Sequence, residues 1–190
     1  MILNIVVDLV LVILLLLCGF EDIKNKLIPN KYTIPALIAG FVLMTMNYGL
    51  DGLKNSFLGF LLGLFIFFLP FIFGLMGAGD VKLMAAIGAL KGFAFTVYAL
   101  FAIGIAGGIM VIIYAIYKKQ MLKTIINMFG IILRPLAKMI YLNSSNKFAG
   151  KIYNFFEKVK QEHSELYIPY AIPITVGTIG VLVSSIFNLL

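Results

Sequence analysis

Gly77-Ala78-Gly79-Asp80-Val81-Lys82 separates two long apolar runs. It sets a carboxylate on a backbone loosened by two glycines, at the edge of a stretch suited to hydrocarbon. Charge in a bilayer is costly, about 2.5–3.5 kcal/mol at a helix centre on insertion scales, and the acids that remain there pair or perform chemistry. The fold depends on what flanks this stretch. The function depends on whether Asp80 has a partner.

To either side the chain reads as membrane-embedded. Of its 190 residues, 62% are hydrophobic and 12% charged, far from the balance of a water-soluble domain. Several runs approach the roughly 20 apolar residues that a helical span requires. The expectation is an all-α, polytopic membrane protein with six transmembrane helices, at about 2–20, 32–48, 56–75, 81–91, 93–117 and 166–190. An amphipathic interfacial helical segment over about 118–165 separates spans five and six. The whole of 1–190 is read as a single membrane-embedded domain. Glycines four apart (Gly59 and Gly63, Gly88 and Gly92, Gly104 and Gly108) predict close helix packing.

The interfacial segment is legible from its faces. Lys123, Asn127, Arg134 and Lys138 share one helical side, and Ile125, Ile126, Phe129, Ile132 and Leu133 occupy much of the remainder. A shorter repeat of the pattern sets Ile152, Phe155, Phe156 and Val159 against Lys151, Lys158 and Lys160. Such helices lie in the headgroup layer. Anchoring is the role expected for this segment, because a basic surface collects basic ligands poorly.

Basic residues orient the spans. With the N-terminus outside, Lys24, Lys26, Lys31, Lys82 and nine more between 118 and 160 are cytoplasmic, and Lys54 and Lys91 are outside. That bias follows the positive-inside rule. The net charge of +7 is thereby assigned to a surface facing anionic lipid, not to nucleic acid. Cys18 is the only cysteine and His163 the only histidine. They exclude an intrachain disulfide, a cysteine zinc site and a histidine metal cluster. No cofactor is expected, Cys18 is read as packing, and His163 as exposed.

The same orientation sorts the acids. Asp8 and Asp51 fall outside, Asp8 as a solvated acid at headgroup level. Glu157, Glu162 and Glu165 belong to the basic segment. Glu21, Asp22 and Asp80 remain at the cytoplasmic mouth, with Glu21 read as a solvated neighbour. Two carboxylates on different helices can hold a water between them, one taking its proton while the other polarises a carbonyl. Asp22 closes span one, where the helix dipole is negative, and Asp80 opens span four, where it is positive. The dipoles therefore nominate Asp80 as the readier base and Asp22 as the holder of the proton.

Asp22-x-Lys24-x-x-x-Ile28-Pro29-Asn30 after one span, with Gly77-x-Gly79-Asp80-x-Lys82 after a third, resembles the type IV prepilin peptidase family, membrane aspartic proteases of the GxGD type. The Ile-Pro-Tyr-Ala-Ile-Pro stretch at 168–173 is similar to that family's C-terminal pattern. The resemblance implies peptide-bond hydrolysis that removes a short basic leader from prepilins or pilin-like precursors at the cytoplasmic face. It implies Asp22 and Asp80 as the catalytic pair, with Gly77 and Gly79 as a loop open enough for an extended peptide to approach. Larger members carry a cytosolic insertion with paired CxxC motifs and also N-methylate the product. Here the corresponding loop is about ten residues long and lacks cysteine, which implies the short, peptidase-only form without methyltransferase activity. The partners implied are a pilin-like substrate and membrane lipid. Two rivals stand beside this reading: a small transporter or secretion-assembly factor with a proton- or cation-binding aspartate pair, and a GxGD protease acting within transmembrane segments.

Overall fold

The computed structural model describes residues 2–72, 76–117 and 169–187. Two compact units are distinguished, Met1–Gly108 with Pro169–Leu190, and Ile109–Ile168. The second is described only over 109–117, and the interfacial segment expected at 118–165 lies outside the described residues. The described residues form four helices: α1 (Ile2–Asn25), α2 (Asn30–Ile72), α3 (Ala78–Tyr117) and α4 (Ala171–Ile186). The first three are long and apolar enough to cross a membrane, and α4 is a shorter apolar helix.

Helix α1 runs five residues beyond the expected end of span one. Nothing in Glu21-Asp22-Ile23-Lys24 breaks a helix, and Lys24 suits the negative C-terminal end. The helix stops where Lys26 turns left-handed (φ 55°) and donates its N–H to the Asp22 carbonyl at 3.0 Å, three residues ahead of Pro29. The expected ten-residue polar loop therefore shrinks to 26–29. Asp22 stands on a helix rather than in a loop.

Helices α2 and α3 each fold back at one glycine. Gly49 (φ 63°, ψ −143°) and Gly92 (φ 77°, ψ −175°) adopt backbone conformations that a side chain would strain. In α2, the Phe41 ring lies 6.4 Å from Phe57 and 5.8 Å from Phe60. On a straight helix, positions 41 and 60 would stand about 28 Å apart. The limbs 30–48 and 50–72 are thus antiparallel, and the turn expected over 49–55 is confined to Gly49. In α3, the Phe93 N–H freed at the break is accepted by Asn55 Oδ1 at 2.9 Å.

The first limb of α3 is the core. Leu83, Met84, Ala85, Ala86, Ile87, Ala89 and Leu90 are essentially inaccessible. A helix apolar on every side belongs in the middle of a bundle, and its neighbours admit it by being small. A Cβ on Gly59 or Gly88 would overlap the other's backbone, one on Gly63 would meet the Met84 carbonyl, and one on Gly40 would lie 2.7 Å from the Ala89 carbonyl carbon. Ser56, fully buried, donates to the Ala89 carbonyl. Leu11, Leu14, Leu15 and Cys18 of α1 belong to the same core. The packing expected from glycine spacing is present at these positions. It is not present at Gly104 or Gly108, where a Cβ would meet nothing within 4 Å among the described residues. Large apolar side chains such as Ile2, Phe57, Phe101 and Ile105 are exposed among the described residues, a surface suited to lipid.

Candidate active site

The stretch after Asp22 and the stretch before Asp80 lie against each other. Ile28, in the short loop that ends α1, packs on Gly79: a Cβ there would sit 2.7 Å from the Cβ of Ile28. One turn into α3, Lys82 Nζ donates to Asn30 Oδ1 at 2.8 Å, tying the start of α3 to the start of α2. The sequence paired these two motifs through charge bias alone. Direct packing now joins them.

Both carboxylates are buried, Asp22 at 3% and Asp80 at 6% exposure. Asp80 closes a reciprocal turn with Gly77: the Gly77 N–H donates to Asp80 Oδ2 at 3.0 Å, and the Asp80 N–H donates to the Gly77 carbonyl at 3.2 Å. This is the way a short acid side chain satisfies backbone donors at a helix start. Asp22 accepts from α4 instead. The Ala171 N–H, at the first residue of that helix, donates to Asp22 Oδ2 at 3.1 Å across 149 residues of chain. The preceding residue, Tyr170, is within electrostatic reach of Asp80, as Asp22 is. The start of α4 thus touches Asp22 through the Ala171 N–H and lies within electrostatic reach of Asp80.

Three features differ from the sequence expectation. The dipole argument made Asp22 the proton holder because it ends α1, but Asp22 also faces the N-terminus of α4, whose dipole acts in the opposite sense. Gly77 and Gly79 were expected to open the backbone to substrate. Neither is among the glycines of positive φ, the space at Gly79 is filled by Ile28, and Gly77 offers its N–H to Asp80. Glu21 is not simply solvated: it accepts from Asn25, from Lys31 at 3.2 Å and from Tyr32 at 3.3 Å, pinning the end of α1 to the start of α2. The role of Ala171 escaped sequence reasoning, which reached 168–173 only through family resemblance; no local spacing signals a contact 149 residues away.

The opposite end of the same helices is also polar. Asp8 of α1 and Lys91 of α3 form an ion pair at 2.6 Å, with Lys91 Nζ 5.0 Å above the Phe95 ring. Asn4 accepts from Asn47 and from Tyr48, the latter at 3.2 Å. A cavity of about 350 Å³ opens beside them. Asp8 was expected to be solvated; instead it is partly buried and paired. Among the described residues, no group of three or more His, Cys, Asp or Glu side chains is placed to share a metal ion.

Comparison with known proteins assigns a family. Residues 9–112, which include both motifs, match the Type IV leader peptidase family. The chain is 38% identical over 82 residues to a relative named prepilin peptidase EppA from Methanocaldococcus jannaschii. That match takes in 43% of this chain and 22% of the relative, so the chain spans about a fifth of the length of the curated relative it matches. No solved structure matches the chain. With the family match extending over more than half of its residues, the chain belongs to the type IV leader peptidase family.

Proposed function

We propose that the chain is a membrane aspartic endopeptidase that cleaves the short basic leader from type IV prepilins or pilin-like precursors. In this reading Asp22 and Asp80 are the catalytic pair. One carboxylate takes a proton from a water held between them, and the water oxygen bonds to the scissile carbonyl carbon. The other, protonated, donates a hydrogen bond to the carbonyl oxygen. Collapse of the tetrahedral intermediate breaks the C–N bond, and the leaving amine takes up a proton from the pair. Gly77 and Gly79 shape the site, Gly77 through its N–H to Asp80 and Gly79 by admitting Ile28. The site requires no cofactor and no metal.

The observation that carries the reading is a pair of buried acids, Asp22 and Asp80, on two helices whose flanking stretches pack together at Ile28 and Gly79. Family membership supplies the reaction class, and the name of the archaeal relative supplies the substrate class. The protein is further read as a single peptidase domain with six spans, α2 and α3 each crossing twice. The first limb of α3, 78–91, rises only about 21 Å against a hydrocarbon core of about 30 Å, but its burial inside the bundle relieves it of facing lipid. Charge bias puts the N-terminus outside and both aspartates at the cytoplasmic face of the cell membrane. A transporter or assembly factor with a proton- or cation-binding pair predicts acids near mid-helix. Asp22 lies in the last turn of α1 and Asp80 in the first turn of α3.

The test mixes the purified full chain with a pilin-type precursor bearing a basic leader and follows leader removal by mass. Cleavage by the wild type, lost in both Asp22→Asn and Asp80→Asn, is the expected result. Unchanged cleavage in either variant ends the proposal.

A further inference from the structure

We propose that the Asp8–Lys91 ion pair is a positioning clasp that sets the register between the two helices carrying Asp22 and Asp80. The proposal rests on reading those aspartates as the catalytic pair. Asp8 and Asp22 share α1, about 21 Å apart along its axis; Asp80 and Lys91 share the first limb of α3, about 17 Å apart. The same two helices thus carry two paired features: an ion pair at 2.6 Å at one end and the two buried acids at the other.

Apolar packing alone sets such a register weakly. Helices in a bilayer gain little hydrophobic energy from touching, because lipid is as apolar as a leucine side chain. The core residues Val7, Leu11 and Leu14 on α1 and Ile87 and Leu90 on α3 are aliphatic and carry no polar group that fixes one axial position of α1 against α3. A charge pair has one preferred separation. It adds less to stability than to the choice of one arrangement. Asp8 and Lys91 retain 27% and 18% side-chain exposure, so the attraction is only partly screened. The cavity beside them, lined by Asn4, Tyr48, Asn55 and Ser185 among others, leaves room for the two helix ends to shift once the pair is broken. A displacement of about 1 Å at the reacting groups is enough to cost about 100-fold in rate.

The experiment compares Asp8→Asn, Lys91→Gln, the double variant and Lys91→Arg in the full chain, at equal amounts of folded protein. Activity is followed on the pilin-type precursor. Each single variant is expected to lose 10- to 100-fold in kcat with KM within twofold of wild type. The double variant loses no more than the worse single, since the clasp breaks only once, and Lys91→Arg stays within threefold. A readout independent of catalysis uses spin labels on Lys24→Cys and Lys82→Cys, beside the two aspartates. Their distance distribution is expected to broaden or shift by more than 1 Å when Asp8→Asn is added. Losses that add across the two sites, single variants within twofold of wild type, or an unchanged distance distribution would each overturn the clasp. Failure of the peptidase reading shows separately, as cleavage that survives Asp22→Asn or Asp80→Asn.

Discussion

The two ends of the bundle use acids in opposite ways. At one end Asp8 meets Lys91 and Asp51 meets Lys54. At the other, Asp22 and Asp80 each accept a backbone N–H at the start of a helix, α4 for Asp22 and α3 for Asp80. A carboxylate next to a lysine has its partner in that side chain. The two buried carboxylates are held by backbone N–H groups instead, which leaves oxygen atoms for a water or a substrate under the proposed reading. The difference lies in what surrounds the residue, not in which residue it is.

Substitutions that exchange these environments break the comparison most severely. Asp22→Asn and Asp80→Asn preserve shape and hydrogen-bonding reach but remove the proton-accepting group. Each is expected to lower precursor cleavage at least about 1,000-fold, a general acid–base contribution at the upper part of its range, with helical content by circular dichroism unchanged. Next in size is Gly79→Val. Its side chain must displace Ile28, so cleavage should drop by about 100-fold while the protein still purifies as a folded species.

Gly88→Leu attacks the core that both ends share. Overlap with the backbone at Gly59 is expected to cost about 3 kcal/mol or more, read as a lower midpoint in thermal unfolding in detergent. Smaller still is Asn30→Ala, which removes the acceptor of Lys82. It should reduce cleavage about two- to fivefold, in line with one lost hydrogen bond. Lys54→Ala sharpens the comparison from the other side. Its pair with Asp51 is highly exposed, and its loss should move stability by less than about 0.5 kcal/mol. A larger effect would mean that this exposed pair is not passive.

Much of this was legible before any coordinates, and the reasons are local. Apolar runs predict helices, and the break at Lys91-Gly92 was marked by a charge beside a glycine. Gly59, Gly63 and Gly88 announced close packing through their spacing. What stayed hidden depended on distant parts of the chain. The reversal at Gly49 was blurred into a seven-residue turn, because Asp51, Lys54 and Asn55 read as loop although they tolerate a helix. Asp8 looked solvated because Lys91 is 83 residues away. The contact between Asp22 and α4 stayed hidden for a similar reason: its donor, the Ala171 N–H, is 149 residues away.

The bond from Ala171 to Asp22 also sets an order in time. Ribosomes make α1 well before α4, so Asp22 exists before its N–H donor does. A nascent chain not yet extended to residue 171 has both aspartates and both glycines and yet lacks the N–H that orients Asp22. The site is assembled from the two ends of a 149-residue separation, so a copy that stops between them does not present a finished site.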